Sequence, residues 1–173
     1  KPHVQLSGLE KRLNRPETKE LILRLQKAAI TVPANVSGIL PLDSKLKGTV
    51  VLNIGKTPGA GLDFYNRLQN TLSLTRVVAR PDSMEAIRKR LLGSHRVIVV
   101  VTSDDYKKYK TMLDSLPADL PVVYVFLMPL KSMLDMEGYW KKAAAVVLGH
   151  SDESVIQEYV ADVLVGKAVA DGR

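Results

Sequence analysis

The sequence predicts an α/β domain: a flavodoxin-like, doubly wound open sheet of about five mainly parallel strands, with helices on both faces. Two features point to it. Five short runs, residues 49–54, 74–79, 96–102, 122–127 and 144–148, are apolar at successive positions instead of alternate ones. Such runs suit strands covered on both faces, and hence a parallel sheet. Segments with helical spacing lie between them, and right-handed strand–helix–strand crossovers leave few topologies. Counting only those five runs, the expected order is 2-1-3-4-5.

Each helix has its own local signals. Pro16 suits a first helical turn, with Glu17 and Glu20 near its positive end. Leu21, Ile22, Leu25, Ala28 and Ala29 then form one apolar face, and Pro33 is expected to stop that helix. Residues 33–48 read as an irregular crossing segment pinned by Ile39, Leu40 and Leu42. Asp82 with Glu85 resembles a capping box before Met84, Ile87 and Leu91. Ser103 or Asp104 can cap the next helix, whose Tyr106, Tyr109, Leu113 and Leu116 share a face. In the last helix Val155, Ile156, Tyr159, Val160, Val163 and Leu164 recur at helical spacing, and Gly166 ends it. Residues 1–15 are expected to be an interdomain connector, and 16–173 a single domain.

Composition bounds the function classes. A chain of 173 residues buries roughly 70% of its unfolded surface, enough for a real core. No apolar run approaches the roughly 18 residues of a membrane span. The absence of cysteine removes disulfides, thiolate metal sites and a cysteine nucleophile. Lys1-Pro2-His3 includes no initiator Met and no signal-type apolar region, so a longer parent chain is expected upstream. The net charge is +7, and the first 30 residues hold seven Lys/Arg against three acids. Aromatics are only 5% of the chain, which argues against a stacking surface for nucleic acid, so no nucleic-acid partner is expected.

The most motif-like stretch is the turn at 55–61, Gly-Lys-Thr-Pro-Gly-Ala-Gly. Its spacing matches neither G-x-x-x-x-G-K-[ST] nor G-x-G-x-x-G, so a plain turn is expected over a phosphate cradle. His3, His95 and His150 lie in different segments without a paired His or carboxylate. His150 is the best placed, beside Ser151, Asp152 and Glu153 at the carboxyl edge of the fifth run, though these three also suit a helix start. Asp104-Asp105 follows the third run. A receiver-type acidic pocket would need another carboxylate where Asn53-Ile54-Gly55 stands. Met128, Met133 and Met136, with Leu127, Leu130 and Leu134, read as pliable core. Tyr139 and Trp140 suit a partly exposed interface, and Lys107, Lys108 and Lys110 need only solvent. No catalytic, cofactor-binding or metal residue is assigned, and no cofactor is expected.

Three stretches together resemble the second, α/β-sandwich domain of glycoside hydrolase family 3. The first runs from Ala28-Ala29-Ile30-Thr31-Val32 through Asn35 to Ile39-Leu40-Pro41-Leu42-Asp43, with Pro33-Ala34 departing from the family's Leu-Lys. The second is the valine run at 97–102, and the third is Ala161-Asp162-Val163-Leu164-Val165-Gly166 followed by Asp171-Gly172-Arg173. The resemblance implies a larger retaining β-glycosidase, most similar to the β-N-acetylglucosaminidase branch, whose nucleophile lies in a separate TIM barrel. It also implies that barrel as the partner, carbohydrate at the domain interface, and a periplasmic or extracellular location. The glutamate that β-glucosidase relatives lend from a long loop after the central strand has no counterpart, because Thr102-Ser103-Asp104-Asp105 runs directly into a helix. Ser151-Asp152-Glu153-Ser154 likewise replaces the family's glycine pair. The isolated chain is therefore expected to be a non-catalytic accessory domain, the alternatives being an independent small-ligand or anion-binding module and a charge-driven binder.

Overall fold

The computed structural model describes residues 15–129 and 142–172. Its centre is one six-stranded sheet. In chain order the strands are β1 (Thr31–Asn35), β2 (Thr49–Ile54), β3 (Leu74–Val78), β4 (Arg96–Val101), β5 (Val122–Phe126) and β6 (Ala145–Leu148). Their spatial order is β1-β6-β5-β4-β2-β3. All neighbours are parallel except β1, which runs antiparallel to β6. The five apolar runs are β2 to β6, in the expected order. Every residue of β2, β4, β5 and β6 is buried, which is why their apolar character is continuous instead of alternating.

The helices are α1 (Pro16–Ala28), α2 (Leu62–Leu68), α3 (Met84–Leu92), α4 (Lys110–Asp114) and α5 (Ser154–Leu164). Alternate strand residues feed two cores. On one face Leu52, Val99 and Phe126 pack with Ile87 and Leu91 of α3 and with Tyr109 and Leu113. On the other, Val51, Ile98 and Val125 pack with Phe64 and Leu68 of α2 and Ile156 and Val160 of α5. Gln157 joins the two helices of the second face. Its Oε1 accepts from the Phe64 amide at 2.9 Å while its Nε2 donates to the Asp152 carbonyl at 2.7 Å. Arg67 and Asp162 add a paired link at 3.0 Å between α2 and α5.

Several local expectations are corrected. The first helix ends at Ala28, and Thr31–Asn35 is a strand, not helix followed by an irregular crossing. Pro33 is tolerated there because β1 lies at the sheet edge and its register with β6 slips between Thr31 and Ala34. No capping box forms at α3, since Ser83 precedes the helix without a side-chain cap and a 3-10 turn, Pro81–Ser83, takes up Asp82. The segment after β4 opens as a 3-10 stretch, Asp104–Tyr109, before α4. Here Ser103 does accept from the Asp105 amide, at 3.3 Å.

The largest departure concerns α1. No α1 residue is buried; Leu21, Ile22 and Leu25 are 50%, 43% and 61% exposed. At 100° per residue these three lie opposite Leu23, the apolar side chain of α1 that packs on the domain, and Ile30 is buried just beyond the helix end. The helix therefore rests on the domain by its narrower side and turns its apolar stripe outward. The patch expected around Met133, Met136, Tyr139 and Trp140, with Leu130 and Leu134, lies outside the described residues, as do His3 and the connector at 1–14.

Candidate functional site

The carboxyl edge of the sheet collects the turn at 55–61, Asp104-Asp105 and the segment 150–153. In an open α/β sheet the crevice opens where successive connections leave in opposite directions, here between β2 and β4. A cavity of about 490 Å³ occupies this position, lined by Lys56, Thr57, Ser103, Asp104, Met128 and Asp152 among others. The segments that follow β2, β4, β5 and β6 thus meet at one cavity. Asp152 joins it from beyond β6; His150 does not.

The turn at 55–61 is built from the inside. Asn53 is 3% exposed and its Nδ2 donates to the Ala60 carbonyl at 2.7 Å. Arg76, on the neighbouring strand β3, donates to the carbonyls of Pro58 at 2.6 Å and Ala60 at 3.3 Å. Burial lowers the pKa of Arg76, opposed by the nearby Tyr65 hydroxyl. Gly61 has φ 76°, a left-handed value that favours glycine. Gly55 has no room for a Cβ, which would collide with Thr102 Oγ1 and the Ala60 Cβ. Gly55 and Gly61 are thus required by packing and backbone conformation. The following helix α2 has only seven residues, too short to present a strong dipole to an anion.

The cavity's charges are already partnered on one side. Lys56 Nζ stands 3.8 Å from the Asp105 carboxylate, which Lys108 approaches at 3.3 Å and the Ser103 hydroxyl at 3.1 Å. Burial acts to raise the Asp105 pKa, but the Ser103 hydrogen bond and the two lysines outweigh it and hold the carboxyl below its ordinary value. Lys108 is therefore an ion-pair partner, and Lys110 pairs with Asp114 at 2.8 Å, so neither is held by solvent alone. The walls thus carry both signs of charge, Lys56 facing Asp104 and Asp152. Among the described residues no cluster of three His, Cys, Asp or Glu can hold a metal. No described helix is long and apolar enough to cross a membrane.

The remaining candidates have structural surroundings. His95 lies at the amino edge, its amide donating to Gly48 and its Nδ1 3.1 Å from the Lys47 carbonyl. Met128 is 6% exposed and belongs to the first core. His150 follows β6 at φ 65° and turns toward β1 and the end of α1. Sequence reasoning missed Asn53 and Arg76 as the supports of the turn, and Gln157 as the tie between α2 and α5. The available signal was clearest for Asn53, a polar residue near the end of the otherwise apolar run of β2.

No family model matches the sequence, and no curated protein is similar to it by sequence. Solved structures do share the fold. It is similar to part of a glycoside hydrolase family 3 β-N-acetylglucosaminidase from Paenibacillus sp. str. FPU-7. That likeness has 15% identity and a TM-score of 0.66 over 93% of this chain and 32% of the other. The β-glucoside phosphorylase BglX is similar at 14% identity and a TM-score of 0.63, over 98% of this chain and 33% of the other. A Listeria innocua β-glucosidase in complex with isofagomine is similar at 14% identity and a TM-score of 0.67, over 91% of this chain and 26% of the other. The chain thus has the fold of an α/β portion of such enzymes and spans a third or less of their length.

Proposed function

We propose that this chain is a non-catalytic accessory domain of a larger glycoside hydrolase family 3-like β-glycosidase, of the β-N-acetylglucosaminidase kind. In that reading it packs on the TIM-barrel catalytic domain, and carbohydrate meets the carboxyl-edge cavity at the junction. The observation that carries it is the outward stripe of α1, with Leu21, Ile22 and Leu25 all more than two-fifths exposed. A helix that turns its wider apolar side away from its own sheet is suited to cover by another body. Covering each side chain is worth roughly 1 to 2 kcal/mol.

The test is the triple substitution Leu21→Ser, Ile22→Ser and Leu25→Ser, made both in this chain and in the complete natural polypeptide. The chain alone should melt within a few degrees of the parent, because exposed side chains contribute little to its own stability. The complete protein should lose melting temperature and glycosidase activity together. Equal effects in both forms, or no effect in the complete protein, would defeat the reading. The chain alone should also turn over no aryl β-N-acetylglucosaminide or β-glucoside, because retaining hydrolysis needs two carboxyl groups about 5 Å apart. Turnover that vanishes on changing Asp104 or Glu153 would count equally against it.

A second reading is an independent small-ligand module. The cavity of about 490 Å³ at the β2/β4 crevice favours it. Micromolar binding of a small ligand by the isolated chain, lost in Asp104→Asn, would move the function there.

A further inference from the structure

The amino edge of the sheet presents apolar and basic side chains that neither the carboxyl-edge cavity nor the stripe of α1 uses. It is built from the segments that lead into the strands. Lys45, Leu46 and Lys47 precede β2, His95 lies between α3 and β4, and Pro117 to Leu120 precede β5. The His95 amide donates to the Gly48 carbonyl at 2.8 Å and its Nδ1 is 3.1 Å from the Lys47 carbonyl, which fixes the first two segments together.

Between the end of α3 and the loop before β5 is a groove of about 370 Å³, walled by Leu92, Ser94, His95, Pro117, Asp119 and Leu120. Asp119 and Leu120 also line a second hollow of about 490 Å³, with Val36 and Ile39. Arg88 is one turn before Leu92 on the same side of α3, and its Nε donates to Ser115 Oγ at 3.0 Å.

Positive charge is in excess around the groove. Lys45, Lys47, Lys89 and Arg90 are exposed and enter no ion pair among the described residues. The buried guanidinium of Arg96 follows His95. Against these stand Asp119 on the wall and Asp43, whose carboxylate accepts from the Lys45 amide at 2.9 Å. Lys89 and Arg90, in the last turn of α3, also offset the negative end of that helix. Lys45 and Lys47 belong to no helix, so a helix dipole does not account for them.

We infer that the amino edge is an interaction surface for an acidic segment of a partner polypeptide. An apolar side chain of that segment fills the groove between Leu92 and Leu120, and the carboxylates flanking it meet Lys45, Lys47 and Arg90. Three other occupants fit less well. A second copy of this chain, paired face to face, would bring like charges together. Nucleic acid finds no Phe, Tyr or Trp on these walls to stack on. An anionic membrane is entered by apolar side chains that project into it, whereas Leu46 and Leu92 are only 39% and 38% exposed and Leu92 forms a wall of the groove. The inference goes beyond the reading of the chain as an accessory domain and does not rest on it.

Fluorescence anisotropy of this chain with a labelled peptide of about twelve residues, repeating two glutamates and a leucine, tests the surface. Binding should have a Kd on the order of 10 to 100 μM and weaken steeply between about 50 and 500 mM salt. The double change Lys45→Glu and Lys47→Glu should weaken it at least about tenfold, whereas Lys19→Glu on α1 should leave it within about twofold. Leu92→Ser, or serine in place of leucine in the peptide, should each cost about fivefold or more, through lost apolar contact. These side chains are exposed, so melting temperatures within a few degrees of the unmodified chain are expected and show that the variants fold. Amide shifts on binding should centre on His95, Asp119 and Leu120. No binding, equal affinity for the serine peptide, insensitivity to the double lysine change, or shifts centred elsewhere would each overturn the inference. So would tighter binding to phosphatidylglycerol vesicles or to a DNA duplex than to the peptide.

Discussion

Replacing Arg96 with alanine is expected to destabilise the chain by about 3 to 5 kcal/mol, the upper range for large-to-small core changes. Arg96 opens the central strand β4 and is 2% exposed. Its Nε donates to Thr49 Oγ1 at 3.0 Å and its Nη1 to the Asp43 carbonyl at 3.3 Å, while Nη2 is buried without a hydrogen-bond partner among the described residues. Burial lowers its pKa, against the attraction of Asp43. The side chain fills space between the sheet and the segment leading into β2, so truncation leaves a void and strips two acceptors. Arg96→Met retains most of the volume and removes a poorly compensated charge, a change that is often neutral or favourable. It should therefore recover at least about 2 kcal/mol of the alanine loss. Denaturant midpoints of the two variants decide it. If methionine proves as damaging as alanine, the guanidinium's hydrogen bonds outweigh its packing and the volume argument fails.

Gly61→Ala should cost about 2 to 4 kcal/mol, combining left-handed strain with displaced neighbours. A Cβ at Gly61 would stand 2.5 Å from Asn53 Nδ2 and 3.1 Å from Val100 Cγ1. The displaced Asn53 is the support of the Ala60 carbonyl, so the change strikes the turn from below. Gly59 is the control, for a Cβ there would meet nothing within 4 Å and its φ is not left-handed. Gly59→Ala should be neutral to within about 0.5 kcal/mol. Thermal unfolding of the two variants side by side is sufficient. Equal losses would mean the turn is held by something other than Asn53 and Arg76.

The parallel core was legible in the sequence because burial on both faces writes itself as an unbroken apolar run, and the order of β2 to β6 followed from crossover handedness. β1 was not legible. Ala28-Ala29-Ile30 continues the helical spacing into Thr31-Val32, and Pro33 reads as a helix stop; only pairing with β6, more than a hundred residues away, makes a strand of it. For α1 the periodicity was right and the environment was not, since spacing reveals that an apolar face exists but not what covers it. At the carboxyl edge, strand order alone brings Lys56, Asp104 and Asp152 together. The clasp of Arg76 on the Pro58 carbonyl depends on geometry between two strands, which no local pattern encodes.

The attachment of β1 to β6 also has a consequence for the order of assembly. β2, β3, β4 and β5 can associate through successive crossovers, each closing a short loop. β1 must wait for a strand that begins at Ala145, and Ile30 must wait for Gly172. Closing so long a loop is entropically the costliest step in this topology, and contacts of such separation form late. The helix at the beginning of the domain is thus seated by the segments at its end. A chain synthesised from its amino terminus holds α1 in its final position only after the strands between have paired, so placement of α1 reports completion of the sheet.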